Sequence, residues 1–389
     1  MPKSILVDLP AVRQSAELNS APVPLLERLE AHLNRSAGFV LLMPAVLLIA
    51  SLAIFPLFIS LYISLARLKF IKGGFELKFV GLANYAKLLV GLDREHFVGR
   101  LASPGWIGWS SYALLVCLLG WLFLNYWQRG AVHASGVVWR LLGCGISLLI
   151  GWYMVHTLVP NGRPGTVIVT LLFVFGGVGS QFLVGLGLAI LCAQHFAGRR
   201  FFRVIFLLPM MITPVGIGYM FRMLADTSKG PLKPLWVMLG LENTSWVQSA
   251  WGARAAVMVG DFWQWTPFMF IVLLAALESQ SVEEVEAAVV DGATFWQIFR
   301  HITIPAILPV SSTVVLIRMI EAFKIIDLPN ILTNGGPGTA TESVTLHAYS
   351  LWRRLDIGGS AAVGYLLLVL VTFFAVSYAN FIRPRHTVE

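Results

Sequence analysis

Charge is the commodity this sequence has least of. Only 12% of its 389 residues are charged, against 57% hydrophobic, and mean hydropathy is +0.76; about a quarter of a soluble domain is charged. That scarcity excludes a soluble multidomain protein. Cysteine is nearly absent as well: Cys117, Cys144 and Cys192 all fall inside apolar runs, with no spacing for zinc or a disulfide framework, so each reads as a small buried hydrophobe. No Gly-Lys dipeptide occurs anywhere, which removes the phosphate-cradling Gly-x4-Gly-Lys-Ser/Thr loop. No short apolar segment with a small-residue cleavage site heads the chain, so a signal peptide is not expected.

What the sequence does have is long apolar runs. Crossing a hydrocarbon core takes about 20 residues per helix, and eight runs of that order are present: 39–66, 107–127, 137–159, 167–193, 201–224, 253–277, 302–323 and 361–382. The fold class is therefore an all-α polytopic membrane protein of about eight transmembrane helices. The formal charge of +8 needs no nucleic acid, because basic residues beside membrane lipid and on inner loops account for it. With the N-terminus inside, Arg129, then Arg199, Arg200 and Arg203, then Arg383 and Arg385 obey the positive-inside rule. The segment from Arg67 to Arg100 runs against it, with Lys69, Lys72, Lys78 and Lys87 outside.

Residues 1–38 thus form an inner segment, in which Leu25, Leu26, Leu29 and Leu33 have the spacing of an interfacial helix. An outer loop covers 67–106, an apolar hairpin 107–166, a core domain 167–382 and an inner tail 383–389. The outer connections 225–252 and 324–359 are rich in Gly, Pro, Asn and Thr and read as loops with short helices.

One inner connection, 281–305, is polar and strongly punctuated. Ser281 with Glu284 has capping-box spacing, Glu283, Glu284 and Glu286 crowd the first turns where the helix dipole favours anions, and Asp291-Gly292 supplies a left-handed stop. A helix of about ten residues, ~15 Å long, cannot cross a membrane. Thr294 with Gln297 repeats the capping spacing, and Phe295, Ile298, Phe299 and Ile302 then form an apolar stripe leading into the next span.

Glu286-Ala287-Ala288, Gly292, Ile302 and Pro305 match in type and spacing the EAA loop of binding-protein-dependent ABC importer permeases. The segment Leu332-Thr333-Asn334-Gly335-Gly336-Pro337-Gly338, with Thr341-Glu342, resembles the signature of the maltose and glycerol-phosphate branch. Phe79-Val80-Gly81 with Asn84-Tyr85, Pro209 with Pro214, and Trp265-Thr266-Pro267 are also similar to it. The likeness covers the first span and nearly everything from Val167 onward, but not Pro104 to Pro164.

This resemblance implies a type I importer permease fold in a prokaryotic inner (plasma) membrane. It implies a second permease subunit, an extracytoplasmic solute-binding protein, a sugar substrate and an ATPase dimer that carries ATP and Mg, with no cofactor in this chain. It makes Glu286, Ala287, Ala288, Asp291, Gly292, Ala293, Phe299, Ile302 and Pro305 the contact with that ATPase. In such permeases the positions matching two polar stripes line the substrate path: Asp261, Gln264, Trp265 and Phe268 on one span, and Arg318, Glu321, Ala322 and Ile325 on the next.

Trp265 and Phe268 offer flat apolar surface to a sugar while Gln264 fixes hydroxyls. Arg318 allows two readings, recognition of an anionic group or an internal pair with Glu321 at i, i+3. Gly176-Gly177-Val178-Gly179 and Gly185-Leu186-Gly187 read as close helix packing rather than nucleotide loops.

Two rival functions share the composition. A secondary carrier explains Asp261 and the prolines but leaves the 281–305 hairpin unused. A membrane enzyme acting on lipids or glycans has only the cluster Asp93-Arg94-Glu95-His96 to draw on, the usual composition of a solvated loop.

Overall fold

The computed structural model describes residues 41–128, 134–159, 161–194, 197–241 and 245–382. The interfacial helix expected at Leu25–Leu33 lies outside them, as do Arg129, Arg383 and Arg385. Two compact units divide the chain, Met1–Ser60 and Leu61–Glu389. In the first, the described residues belong to α1 (Leu41–Ser64), which has a π-helical turn at Ala50–Ile54. That turn comes just before Pro56, which has no N–H to donate and whose ring crowds the carbonyl four residues back; a widened turn relieves both.

The second unit is a helical bundle. After the end of α1 come a ribbon of β1 (Ala66–Ile71) and β2 (Gly74–Phe79), α2 (Ala83–Leu89), α3 (Arg94–Phe97) and β3 (Gly99–Arg100). A helical hairpin follows, α4 (Trp106–Gln128) and α5 (Ala134–Thr157), and then β4 (Arg163–Pro164). The core consists of α6 (Thr166–Ala193), α7 (Arg199–Met211), α8 (Pro214–Ala225), α9 (Lys233–Met238), α10 (Ala250–Glu278), α11 (Val282–Val290), α12 (Phe295–Ala322), α13 (Val344–Arg353) and α14 (Ile357–Ile382).

Among the described residues six helices are long and apolar enough to cross a membrane, or seven if α7 and α8 count as one span. α5, at 24 residues, reaches the same length. Each apolar run therefore has a helical counterpart, with one correction. The fifth run is not a straight helix but two, bent by 97°: Pro209 and Pro214 bracket the break, and Thr213 caps the second helix by accepting from the Gly216 amide at 3.3 Å.

The helical class holds for the bundle. The exceptions are the β1–β2 and β3–β4 ribbons, both antiparallel. Lys72-Gly73 makes the two-residue turn of the first, with Gly73 at φ +97°, a conformation that costs glycine nothing. Buried Asn84 ties the end of α1 to the start of β1 by donating to the Ser64 and Ala66 carbonyls at 2.8 and 2.9 Å, the first of which the helix end leaves without an intrahelical partner.

α6 and α10 share the most extensive helix contact, with Ile168, Leu171, Val174, Met269, Phe270 and Leu273 all buried there. Gly185 permits the approach: a Cβ on it would lie 2.7 Å from Met269 Cβ and 3.1 Å from the Phe270 amide. Gly176 meets only the flexible end of Met258, and Gly179 and Gly187 face open space, so the close-packing reading holds for part of the glycine string. Gly185→Val should cost about 1–3 kcal/mol by overpacking. Detergent-solubilised thermal unfolding should fall clearly for Gly185→Val and stay near wild type for Gly187→Val.

Candidate functional site

At one end of the core, α10 descends into α11 and the chain returns through α12. Ser281 precedes α11, but its hydroxyl donates to Glu283 Oε2 at 2.8 Å and makes no cap to the backbone. The capping box expected at Ser281–Glu284 is therefore not formed; the hydroxyl is turned to the Glu283 side chain instead. Its own backbone amide and that hydroxyl hold Glu283 below the usual carboxylate range.

The stop is as expected. Gly292 lies at φ +78°, its amide donates to the Val289 carbonyl at 3.0 Å, and Ala293 donates to the Ala288 carbonyl at 2.9 Å, the paired bonds of a Schellman ending. The Thr294–Gln297 box is also formed, with the Thr294 amide 2.7 Å from Gln297 Oε1.

Glu286, Ala287, Asp291 and Gly292 are exposed, while Ala288, Ala293, Phe299 and Ile302 are half-buried. Apolar side chains point outward as well: Val290 is 87% exposed, Phe295 67% and Trp296 65%. Beneath the hairpin, Val285, Val289, Phe295 and Phe299 face Ile190 and Leu277 across a cavity of about 460 Å³. A π-helical turn at Phe299–Thr303 leads into Pro305, repeating the arrangement before Pro56. Arg203 steadies this end, pairing with Glu278 and donating to the Cys192 carbonyl at 2.8 Å.

Deep in the bundle lies a second polar group of residues. Arg318 of α12, 1% exposed, donates through Nε to Gln181 Oε1 at 2.9 Å and through a terminal nitrogen to Asp261 Oδ2 at 2.5 Å. Gln181 of α6 donates to the same Asp261 oxygen at 2.8 Å. Three helices thus meet in one charge-neutral network, and the Arg318 guanidinium lies 4.8 Å over the Trp265 ring. Trp265 in turn packs edge-on to Phe268 at 6.3 Å.

Of the residues expected along the path, the structure brings together Asp261, Trp265, Phe268 and Arg318, with Gln264 buried on the same helix. It separates the others. Glu321 does not pair with Arg318: it is exposed and takes Lys324 at 2.7 Å. Ala322 is packed in the core, and Ile325 lies past the end of α12 against the Val169–Ile217 cluster. Sequence reading missed Gln181, whose signal was a lone amide in the middle of an apolar run.

At the opposite end of α12, the 324–343 connection is pinned at several points. Arg254, buried and lying over Trp251, donates to the Ala340 carbonyl at 2.8 Å, and Arg222 donates to the Ile331 carbonyl at 3.1 Å. Asn334 and Gly335 turn the chain in the left-handed region. Here Glu342 is held from both sides, by His96 at 2.8 Å and His347 at 2.9 Å. Burial works against its charge, but the bonds from His347 and His96 outweigh it and keep the carboxyl down at about 2. The bond to Glu342 raises His96 above its ordinary value despite burial. The histidines drop out of any loop-by-loop reading, since 246 residues separate His96 from Glu342.

Comparison with known proteins gives a consistent set of likenesses. Residues 185–387 match the family described as binding-protein-dependent transport system inner membrane component. The trehalose/maltose transport system permease of Thermococcus litoralis is 32% identical over 217 residues, 56% of this chain and 74% of that protein. The sulfoquinovosyl glycerol transport system permease of Agrobacterium fabrum is 29% identical over 221 residues, 57% and 70% of the two chains. The crystal structure of a bacterial ABC transporter involved in import of the acidic polysaccharide alginate superposes with a TM-score of 0.59 at 18% identity, over 92% of this chain and all of that one. That last likeness concerns fold alone.

The buried network can be tested by a double-mutant cycle. Asp261→Asn or Arg318→Met alone leaves an uncompensated buried group and should cost about 3–5 kcal/mol. Combining the two should recover much of that loss in thermal unfolding, a coupling that independent sites do not show.

Proposed function

Because the chain belongs to the family of binding-protein-dependent transport system inner membrane components, we propose that it carries sugar across the membrane and is driven through the α11–α12 hairpin by a separate ATPase. It is a multi-pass inner-membrane permease of the ABC importer kind, a transport subunit and not an enzyme. The secondary-carrier and lipid- or glycan-enzyme readings give way to that membership.

One observation carries the coupling assignment. A helix of 9 residues, Val282–Val290, is closed by a Schellman ending and followed at once by a second capped helix, with both acidic and apolar side chains facing outward. Such a surface lies beyond the span it feeds, and Val290, Phe295 and Trp296 are more exposed than a solvated turn requires. Insertion into a cleft on the ATPase covers them, with Glu286, Ala287, Ala288, Asp291, Gly292 and Ala293 in contact and Phe299, Ile302 and Pro305 passing the movement into α12. ATP and Mg belong to that partner. A second permease subunit completes the path, and an extracytoplasmic solute-binding protein delivers the sugar.

For the substrate path, Trp265 and Phe268 supply aromatic surface and Gln264 an amide. The engagement of Arg318 by Asp261 and Gln181 favours a positioning role over anion recognition, since drawing it to a ligand strips Asp261 of its counter-charge. Arg318→Ala should therefore reduce uptake of neutral and acidic sugars in equal proportion. A loss confined to acidic sugars assigns the guanidinium to the ligand instead.

The hairpin has its own test. Proline at 292 is incompatible with φ +78° and removes the amide bonded to Val289, so the helix loses its Schellman ending. Gly292→Pro should insert in the membrane normally yet lose co-purification with the ATPase and lose transport; retention of both rejects the coupling assignment.

A further inference from the structure

The cluster that the transport reading leaves unused is His96, Glu342 and His347. These residues come from three separate places in the chain: α3, the connection after α12, and the first turn of α13. Their nearest ligand atoms, one from each residue, all lie within 4.8 Å of one another. The two imidazoles sit side by side, ring centres 4.5 Å apart, and both turn a nitrogen toward the same carboxylate, His96 Nε2 at 2.8 Å and His347 Nδ1 at 2.9 Å. We propose that His96, Glu342 and His347 bind one divalent transition-metal ion of the zinc class, which clips α3 to the loop and helix that follow α12.

The donor chemistry carries the choice of ligand. Two neutral imidazoles and one carboxylate are the nitrogen and oxygen set that zinc-class ions take, with bonds of about 2.0–2.2 Å. Donors up to 4.8 Å apart have to draw in by about 1 Å to reach the roughly 3.4 Å separation of neighbouring ligands around a tetrahedral ion.

His347 is 4% exposed and aims Nδ1 at Glu342, so the donor on α13 is buried and fixed in place. Access is available. His96 and Glu342 line a cavity of about 480 Å³ that they share with Asn330, Asn334 and Tyr349, so a three-residue set keeps open positions for water and a path for the ion. No cysteine takes part, which suits an oxygen- and nitrogen-bound ion rather than a thiolate site.

The experiment uses the full chain in detergent, with any affinity tag removed, stripped with a chelator, desalted and titrated with CoCl2. Visible absorption should rise and saturate at one Co2+ per chain, and added Zn2+ should bleach it by displacement. His96→Gln and His347→Gln should each weaken binding by at least about tenfold, and the double variant should show no saturable signal. His96 is one-third exposed, so His96→Gln is the variant expected to keep the wild-type circular dichroism and thermal midpoint without metal. No saturable absorption in the wild type, or an unchanged titration in His96→Gln, overturns the site. Neither result bears on transport, which Gly292→Pro tests independently.

Discussion

A guanidinium in the middle of an apolar bundle has to be neutralised where it stands, and much of the core is arranged around that requirement. Water is not at hand to solvate Arg318, and an unpaired charge within a span is costly by any scale. Asp261 and Gln181 therefore approach it from the two helices that share the widest contact, and Gly177 leaves room, since a Cβ there would come within 3.3 Å of the Asp261 carboxylate. Each member satisfies the other two. The consequence is a fixed registry among α6, α10 and α12 that apolar packing alone specifies loosely.

That registry matters because α12 continues beyond it. One helix from Phe295 to Ala322 holds the Thr294 cap at one end and Arg318 near the other, 24 residues further along, or ~36 Å at the usual rise. On the proposed coupling, a push on the hairpin travels along this rod to the buried pair and to Trp265, which lies against Arg318. The π turn at Phe299–Thr303 and Pro305 are where the rod has slack, so any bending is confined to the hairpin side of the ion pair.

Local chemistry was legible in the sequence and distant pairing was not. Gly292 and the Thr294–Gln297 box could be read because a cap involves residues three or four apart, and they are found as read. Ser281 shows the limit: it has the capping spacing, but its hydroxyl turns to the side chain of Glu283 two residues on and makes no cap. The path stripe failed at Glu321 because helical spacing says which residues share a face and nothing about Lys324 beyond the helix end. Arg318 pairs with residues 57 and 137 positions away, and the His96–Glu342 contact spans 246; no periodicity reports such partners. The β1–β2 ribbon had a visible signal in Lys72-Gly73-Gly74, hidden by the expectation of an all-helical chain.

The account turns on the α11–α12 hairpin being the surface on which an ATPase acts. The direct measurement is a photo-cross-link from a benzophenone maleimide attached to Glu286→Cys, in a background free of Cys117, Cys144 and Cys192, within the assembled importer. The account predicts a cross-link to the ATP-binding subunit whose yield changes when nucleotide is added, with no such product from a cysteine at Lys324. A cross-link to the ATPase from Lys324 and none from Glu286 would contradict it.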